Sequence, residues 1–529
     1  MGAWINRIVL HNYRKFSDYE VDFNQEKNII VGDNEAGKSS IISAIDFVVS
    51  GNDAKVKAVG IDNIFNYQST RTFLDLPKID RKLANLPIVT VDLYLSNVTD
   101  APNIVDLMGK FREGMKPAYG LRMIITPNTE LASELKEYLE NVDEVFPFDF
   151  YKVEFQTFGN VHYSGYRKFL RHLVIDNSSD RFDVTTAGFV KDAYQLHVSD
   201  IKDRAKLESS YRTHKNTYEG ASLKGVNDLL EAAEGYRFGI RSGIRSNLET
   251  DLTIYRDKIS IDSLGLGERF FIKTKFSLNN KKTKYDPDVV LIEEPENHLS
   301  HNMMHKLIDL IKSSKEAQIF ISTHSNMISS RLDLRNCIFI RKDANKPISL
   351  KDLDEGTAKF FEKAPTVSIL DFVLSDKVIL VEGAAEYILL RKLYFQKDMK
   401  YPEDEGVYVA SIGGLSFKRY MEIAKLLDIK TAVIRDNDGD PQKNCIDNYS
   451  KHASANIKVF FDNDAKNYTF EKCIYDLNEV LCDKTFASKK DKQAYMLSSK
   501  AEAAYKLSEL QDEIVIPEYI NEAFAWVKS

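Results

Sequence analysis

Cysteine is scarce in this 529-residue chain: Cys337, Cys445, Cys473 and Cys482 are the four present, and none forms a C-x-x-C pair. That excludes a disulfide scaffold and the common cysteine-rich zinc sites, leaving ordinary reduced thiols. Long apolar runs are missing too, so no segment reads as a membrane span. The opening MGAWINRIVLHNYRKF alternates like a strand and lacks the apolar block of a signal peptide. A cytoplasmic protein with no membrane partner is therefore expected. There is no surplus of positive charge either. The formal net charge of −7 excludes a histone-like coat but allows a locally basic nucleic-acid surface, and clustered metal-binding carboxylates would themselves lower the sum. Glycine and proline, at 24 and 13 residues, are too few for a collagen-like or disordered chain. The length calls for roughly two to four domains.

What the chain does contain is two residue sets suited to phosphate chemistry. Gly32-Asp-Asn34-Glu-Ala-Gly37-Lys38-Ser39 fits G-x-x-x-x-G-K-S at every fixed position. It lies between a predicted strand, KNIIVG, and a predicted helix, KSSIISAIDFVVS, the context in which backbone N–H groups at a helix N-terminus wrap phosphate oxygens. Gly32 and Gly37 permit the tight wrap, Lys38 reaches the β- and γ-phosphates, and Ser39 offers a hydroxyl to Mg²⁺. Asn34 and Ser40 belong to the same nucleotide site. A second half lies downstream, where the apolar strand in VVLIEEPE delivers Glu293 for Mg²⁺, through water, and Glu294 for the attacking water. His324, after the next strand, is expected near the γ-phosphate. Ser263-Leu-Gly265-Leu-Gly267-Glu268 resembles the serine–glycine signature that an opposing ATPase subunit inserts across ATP.

The second set occupies the C-terminal third. Val378-Ile-Leu-Val-Glu382-Gly383 places a carboxylate at the end of a buried strand, and Glu386 follows on the first helical turn. The strand TAVIR leads into Asp436 and Asp438, whose i, i+2 spacing directs both toward one pocket. Four such oxygen ligands, Glu382, Glu386, Asp436 and Asp438, suit Mg²⁺ or Mn²⁺. Two ions about 3.5–4 Å apart would activate a water and stabilise a leaving oxygen. Asp440 and Glu471 are further candidate ligands. His298, His301 and His305 read as residues at a helix start rather than as a zinc set, and Arg237, Arg241 and Arg245 as a solvated surface.

The N-terminal pieces, with the opening NYRKF (12–16), resemble the ABC-type ATPase heads of the SMC and RecF group over roughly residues 1–350. Glu293 stands where most such heads carry Asp, a departure that bears on hydrolysis more than on binding. The run EEPENHL is similar instead to the OLD (overcoming lysogenisation defect) family. The C-terminal pieces resemble a Toprim domain over about residues 376–500, and the Glu382–Glu386 spacing matches the E-G-x-x-E run of OLD nucleases. Ser499-Lys500-Ala-Glu-Ala-Ala504 resembles their late lysine motif, which implies that Lys500 stabilises the pentavalent phosphate; Lys489, Lys490 and Lys492 lie close by.

The resemblance implies an α/β chain. An ABC-type P-loop ATPase domain is expected over residues 1–355, with a mostly helical insertion at 163–250 that serves dimerisation. A linker at 356–375 and a Toprim nuclease domain at 376–529 would follow. The implied activity is metal-dependent nicking or cleavage of double-stranded DNA in antiphage defence, regulated by ATP, with Mg²⁺ or Mn²⁺ and ATP as cofactors. A homo-oligomer, dimer or tetramer, and a UvrD-like helicase partner are implied as well. Two other readings stay open: a stand-alone OLD nuclease in DNA processing, and an ATP-switched DNA clamp or repair scaffold with an inert Toprim fold.

Overall fold

The structure is a computed structural model. It describes residues 3–529 except 97, 99–103, 110–115, 142–143, 166–168, 177–181, 199, 235, 242–246, 257, 279–286, 298, 342–345, 365–368 and 414–415. Its contacts divide the chain into two compact units, Met1–His324 with Ile340–Pro347, and Ser325–Phe339 with Ile348–Ser529. No helix of the described residues is long and apolar enough to cross a membrane.

The first unit is built on two sheets. In the antiparallel one, Trp4–Tyr13 lies between Phe16–Asp22 and Val89–Ser96, and Ala118–Pro127 continues the layer and pairs with Tyr151–Thr157. Phe16, Tyr19 and Val21 are buried while their neighbours are exposed, the alternation of a sheet wet on one face. The second sheet carries a parallel run in the order Lys27–Gly32, Gln318–Thr323, Val289–Glu293, His172–Asp176. Its central strands are buried almost throughout because both faces are covered. The helix Lys38–Ser50 touches strands of both sheets, which is why it buries Ile41, Ile42, Ile45, Phe47, Val48, Val49 and even Asp46.

The stretch 163–250 holds helices Phe182–His197, Ile201–Ser222 and Lys224–Glu234. It also holds the strand His172–Asp176, which the sequence pattern did not suggest. Five residues in polar surroundings give little local signal, and the partner strand Val289–Glu293 lies far downstream. Within the stretch read as a linker are the helices Glu355–Lys363 and Ile369–Leu374, both anchored by buried apolar residues such as Phe361 and Phe372.

The second unit carries a four-stranded parallel sheet in the order Val407–Ser411, Lys377–Val381, Lys430–Ile434, Ile457–Phe460. The chain leaves Lys377–Val381 toward one edge and Lys430–Ile434 toward the other. The carboxyl ends of these two central strands are therefore a topological switch point, where sheets of this kind hold their ligands. Glu382 and Asp436 follow those ends. The helix Glu518–Lys528 closes one side of the core, burying Ile520, Ala523, Phe524 and Val527 completely. Its Lys528 pairs with Asp398 and, at 2.8 Å, with Glu405. Phe524→Ala should cost about 3–5 kcal/mol of stability in this unit, the range for a truncated buried phenylalanine. Urea denaturation checks this, and a loss under about 1 kcal/mol would place the helix outside the core.

Candidate functional site

The first unit presents the phosphate loop as the sequence pattern requires. Gly37 has φ +104°, and a Cβ there would stand 2.5 Å from Phe16 Cζ. A Cβ on Gly32 would collide with the Ile340 carbonyl oxygen. Both positions therefore need glycine for close backbone approach. Lys38 is 5% exposed, and its Nζ donates to the carbonyls of Gly32 at 2.7 Å and Asp33 at 2.9 Å. Burial lowers its pKa, against the opposing pull of Glu294, Glu296 and Asp33.

Glu293 ends its strand opposite Ser322 and Asp176. Burial first, and then Asp176, push its pKa up to about 8, although a hydrogen bond with the Ser39 side chain works the other way. Glu294 has φ +41°, donates its N–H to the Ser322 carbonyl at 2.9 Å and accepts from Asn297 Nδ2 at 2.9 Å. His324 is held by Glu296, whose Oε1 accepts the His324 N–H at 2.7 Å and lies 3.1 Å from Nδ1. Sequence reasoning gave Glu296 no role.

An open cleft of about 630 Å³ gathers Asn34, Gly37, Lys38, Ser39, Ser40 and Glu294. Arg14, Lys15 and Tyr67 line it as well. The first two come from the hairpin turn inside NYRKF, a segment whose sequence pattern points to no single residue. Gly32, Glu293 and His324 are not among its lining residues. Elsewhere, Ser263 Oγ donates to the Ser260 carbonyl at 2.7 Å, and Gly265 caps the helix Leu266–Ser277, which contains Gly267. A Cβ on Gly265 would meet nothing within 4 Å, so packing inside the chain does not account for that glycine.

In the second unit the carboxylates fall into two groups. Glu386, 5% exposed, accepts the Gly383 N–H at 3.1 Å, and Asp436 accepts the Phe470 N–H at 2.8 Å. Glu471, 3% exposed, joins them from the helix Phe470–Leu477, and Lys500 Nζ stands 2.9 Å from its Oε2. Burial, then Glu386 and Glu471, raise the pKa of Asp436 to about 7. Burial likewise raises that of Glu386. For Lys500, burial works against the charge, but Glu471, Asp436 and Glu386 outweigh it and the pKa rises. The other group is Glu382 and Asp438, both paired with Arg435, the latter at 2.6 Å.

Asn437, between the two aspartates and 1% exposed, fixes this loop. Its Nδ2 donates to the carbonyls of Asp462, Asp464 and Asn467 at 2.8, 3.0 and 3.2 Å, and its Oδ1 accepts the Gly439 N–H. Asp438 itself takes φ +47°. Arg435 and Asn437 both lie inside or beside the aspartate motif, whose sequence signal resides in its acids alone. Asp440 stays out of the cluster and accepts the Lys443 N–H at 3.0 Å. Lys489 lies over the Tyr495 ring, 4.4 Å from its centroid. His301 and His305 face each other at 3.2 Å, while His298 and Arg245 lie outside the described residues.

Among the described residues no three His, Cys, Asp or Glu side chains close into a metal cage; Arg435 and Lys500 pair with the acids instead. The donor set still fits a divalent cation. Glu471 Oε2 faces Lys500 Nζ, but its Oε1 is buried without a hydrogen-bond partner, which is costly unless a further cation faces it. Hard oxygen donors of this kind are what Mg²⁺ and Mn²⁺ take.

Residues 373–438 match the family described as Overcoming lysogenization defect protein-like, TOPRIM domain, and residues 7–151 and 255–330 match two AAA domain families. The Old nuclease of Escherichia phage P2 is 26% identical over 170 residues, 30% of this chain and 29% of that protein. Endonuclease GajA of Bacillus cereus (strain HuB5-5) is 21% identical over 538 residues, covering 84% of this chain and 76% of that one. The C-terminal part of the chain thus resembles the Toprim domain of OLD-like proteins, and the N-terminal part resembles AAA domains. The chain's match spans under a third of the Old nuclease and about three quarters of GajA. The SMC head bound to the C-winged helix domain of ScpA aligns at 16% identity and TM-score 0.35, over 66% of this chain and 98% of that one, a likeness too loose to carry weight.

The raised pKa of Asp436 has a consequence for stability. The folded state binds that proton more tightly than the unfolded one, so between about pH 4 and 7 it carries the extra proton. The stabilisation is full below the unfolded value and is lost as pH rises through about 7. Metal-free wild type should lose thermal stability across that window, and Asp436→Asn, which cannot ionise, should show a flatter profile. Identical profiles would contradict the assigned environment.

Proposed function

We propose that this chain is a divalent-metal-dependent DNA endonuclease that nicks or cuts double-stranded DNA in its Toprim unit, controlled by ATP at the phosphate loop. The observation that carries this reading is the gathering of Glu386, Asp436, Glu471 and Lys500, with Glu382 and Asp438 beside them, at the carboxyl ends of the two central strands. Glu382, Glu386, Asp436, Asp438 and Glu471 would hold the metal, Mg²⁺ or Mn²⁺. Once bound it would supply an activated water and stabilisation of the leaving oxygen. Asp436 and Glu386, whose charged forms burial disfavours, would bind it as carboxylates. Lys500 keeps its charge and meets the phosphate as negative charge grows there. Asn437 keeps the aspartate loop in place while this happens.

At the phosphate loop, Lys38 exchanges the Gly32 and Asp33 carbonyls for phosphate oxygens, and Arg14 and Lys15 add positive charge at the rim. Glu293 and Ser39 would hold Mg²⁺, with Glu294 set for the attacking water and His324 positioned through Glu296. Ser263, Gly265 and Gly267 would meet ATP across a second copy, which makes the protein a homo-oligomer, dimer or tetramer; residues 163–250 would serve that assembly. Similarity to GajA points to an antiphage role with a UvrD-like helicase, GajB, as partner, in the cytoplasm.

A supercoiled-plasmid assay with Mg²⁺ or Mn²⁺, run with and without ATP, tests the activity. Wild type should nick, Glu386→Ala and Asp436→Ala should not, and Lys500→Ala should be slower by about a hundredfold or more, the range for a lost electrostatic stabiliser. A wild-type protein that binds DNA yet leaves plasmid intact with either metal would favour a clamp or scaffold. Lys38→Ala should weaken ATP binding by about tenfold or more, as loss of a charged phosphate contact implies. Its nucleotide-free nicking should persist. Unchanged ATP affinity would remove the phosphate loop from the nucleotide site.

A further inference from the structure

Arg435 is rooted at the end of the strand Lys430–Ile434, where its N–H donates to the Phe460 carbonyl at 3.0 Å. Its side chain is 19% exposed and sits among three partners. One guanidinium nitrogen pairs with Glu382 Oε2, another lies 2.6 Å from Asp438 Oδ2, and the Tyr449 hydroxyl bonds the same group. Tyr449 is itself buried and packs edge-on against Phe417, so this anchor is firm. The two acids are like charges brought to one place by separate strand ends. Arg435 holds them there, doing for the outer pair what Lys500 does for Glu471.

A divalent ion bound by Glu382 and Asp438 needs the oxygens that the guanidinium now occupies. Arginine stays charged at any accessible pH, so it cannot vacate them by losing a proton and must be displaced. We propose that Arg435 is an exchangeable counter-cation: it pairs Glu382 with Asp438 until a divalent ion takes their oxygens, and it thereby weakens metal binding at the outer half of the site. This rests on the metal-dependent reading above. A DNA phosphate offers the displaced guanidinium a new bidentate partner, so arrival of substrate would favour metal loading at the outer acids.

Calorimetric titration of the full chain with Mn²⁺, without DNA, tests the exchange. Arg435→Gln leaves two unpaired acids and should bind Mn²⁺ roughly tenfold tighter in one class of site, the scale of a partly buried charge pair. Its metal-free melting temperature should fall, and saturating Mn²⁺ should restore it. An arginine that merely supported the fold would lower stability in both states and leave affinity unchanged. Arg435→Lys, which keeps one charge but cannot bridge both acids, guards against misfolding of the first variant and should tighten binding by a smaller factor. Wild-type affinity, or weaker binding, in both variants overturns the exchange. A wild type that binds Mn²⁺ and cuts DNA while the variants bind unchanged sinks the exchange alone. Absence of any Mn²⁺ binding by wild type removes the exchange and the proposed metal site together. If wild type binds Mn²⁺ without cutting, tighter binding by the variants still supports the exchange while the nuclease reading falls.

Discussion

Mutual repulsion among five carboxylates governs the second unit. Glu382, Glu386, Asp436, Asp438 and Glu471 are brought together by strand ends and helix starts, and a fold that gathers them must offset the cost. It does so in three ways. Arg435 and Lys500 neutralise part of the charge. Burial and crowding let Asp436 hold a proton up to about pH 7. Main-chain N–H groups of Gly383 and Phe470 absorb more of the negative charge.

The sheet makes that gathering possible. Its two central strands run parallel and are buried after their first residue, so charged side chains are tolerated only at their ends. The two central strands stop beside each other with their chains leaving in opposite directions, and acids following each stop face one crevice. The helix Phe470–Leu477 adds Glu471 from the third side, because its first N–H bonds Asp436. The first unit uses the same device: Glu293 and His324 follow adjacent parallel strands next to the one that feeds the phosphate loop.

Much of this was legible in the sequence where the chemistry is local. Lys38 and Ser39 sit in a contiguous loop pattern, and Glu382, Asp436 and Asp438 each follow an unbroken apolar strand. What escaped depends on distant chain. The strand His172–Asp176 has no partner nearby in sequence, and Glu296 matters only because His324 lies on the next strand. Glu471 and Asp440 were indistinguishable as acids downstream of the motif. The fold separates them, since one begins a helix packed under the strand ends and the other caps a surface turn. Arg435 was hidden by its neighbours: beside two aspartates, a cation reads as background until its position shows which acids it joins.

The helix that follows the phosphate loop is wedged between two sheets. Its Asp46 is tied to His172 on the outer parallel strand at 2.9 Å and to Lys55 at 2.6 Å. A close-packed interior gives such an element no slack, so it cannot shift without carrying its neighbours or breaking contact with them. Any displacement of this helix would therefore be felt in both layers at once.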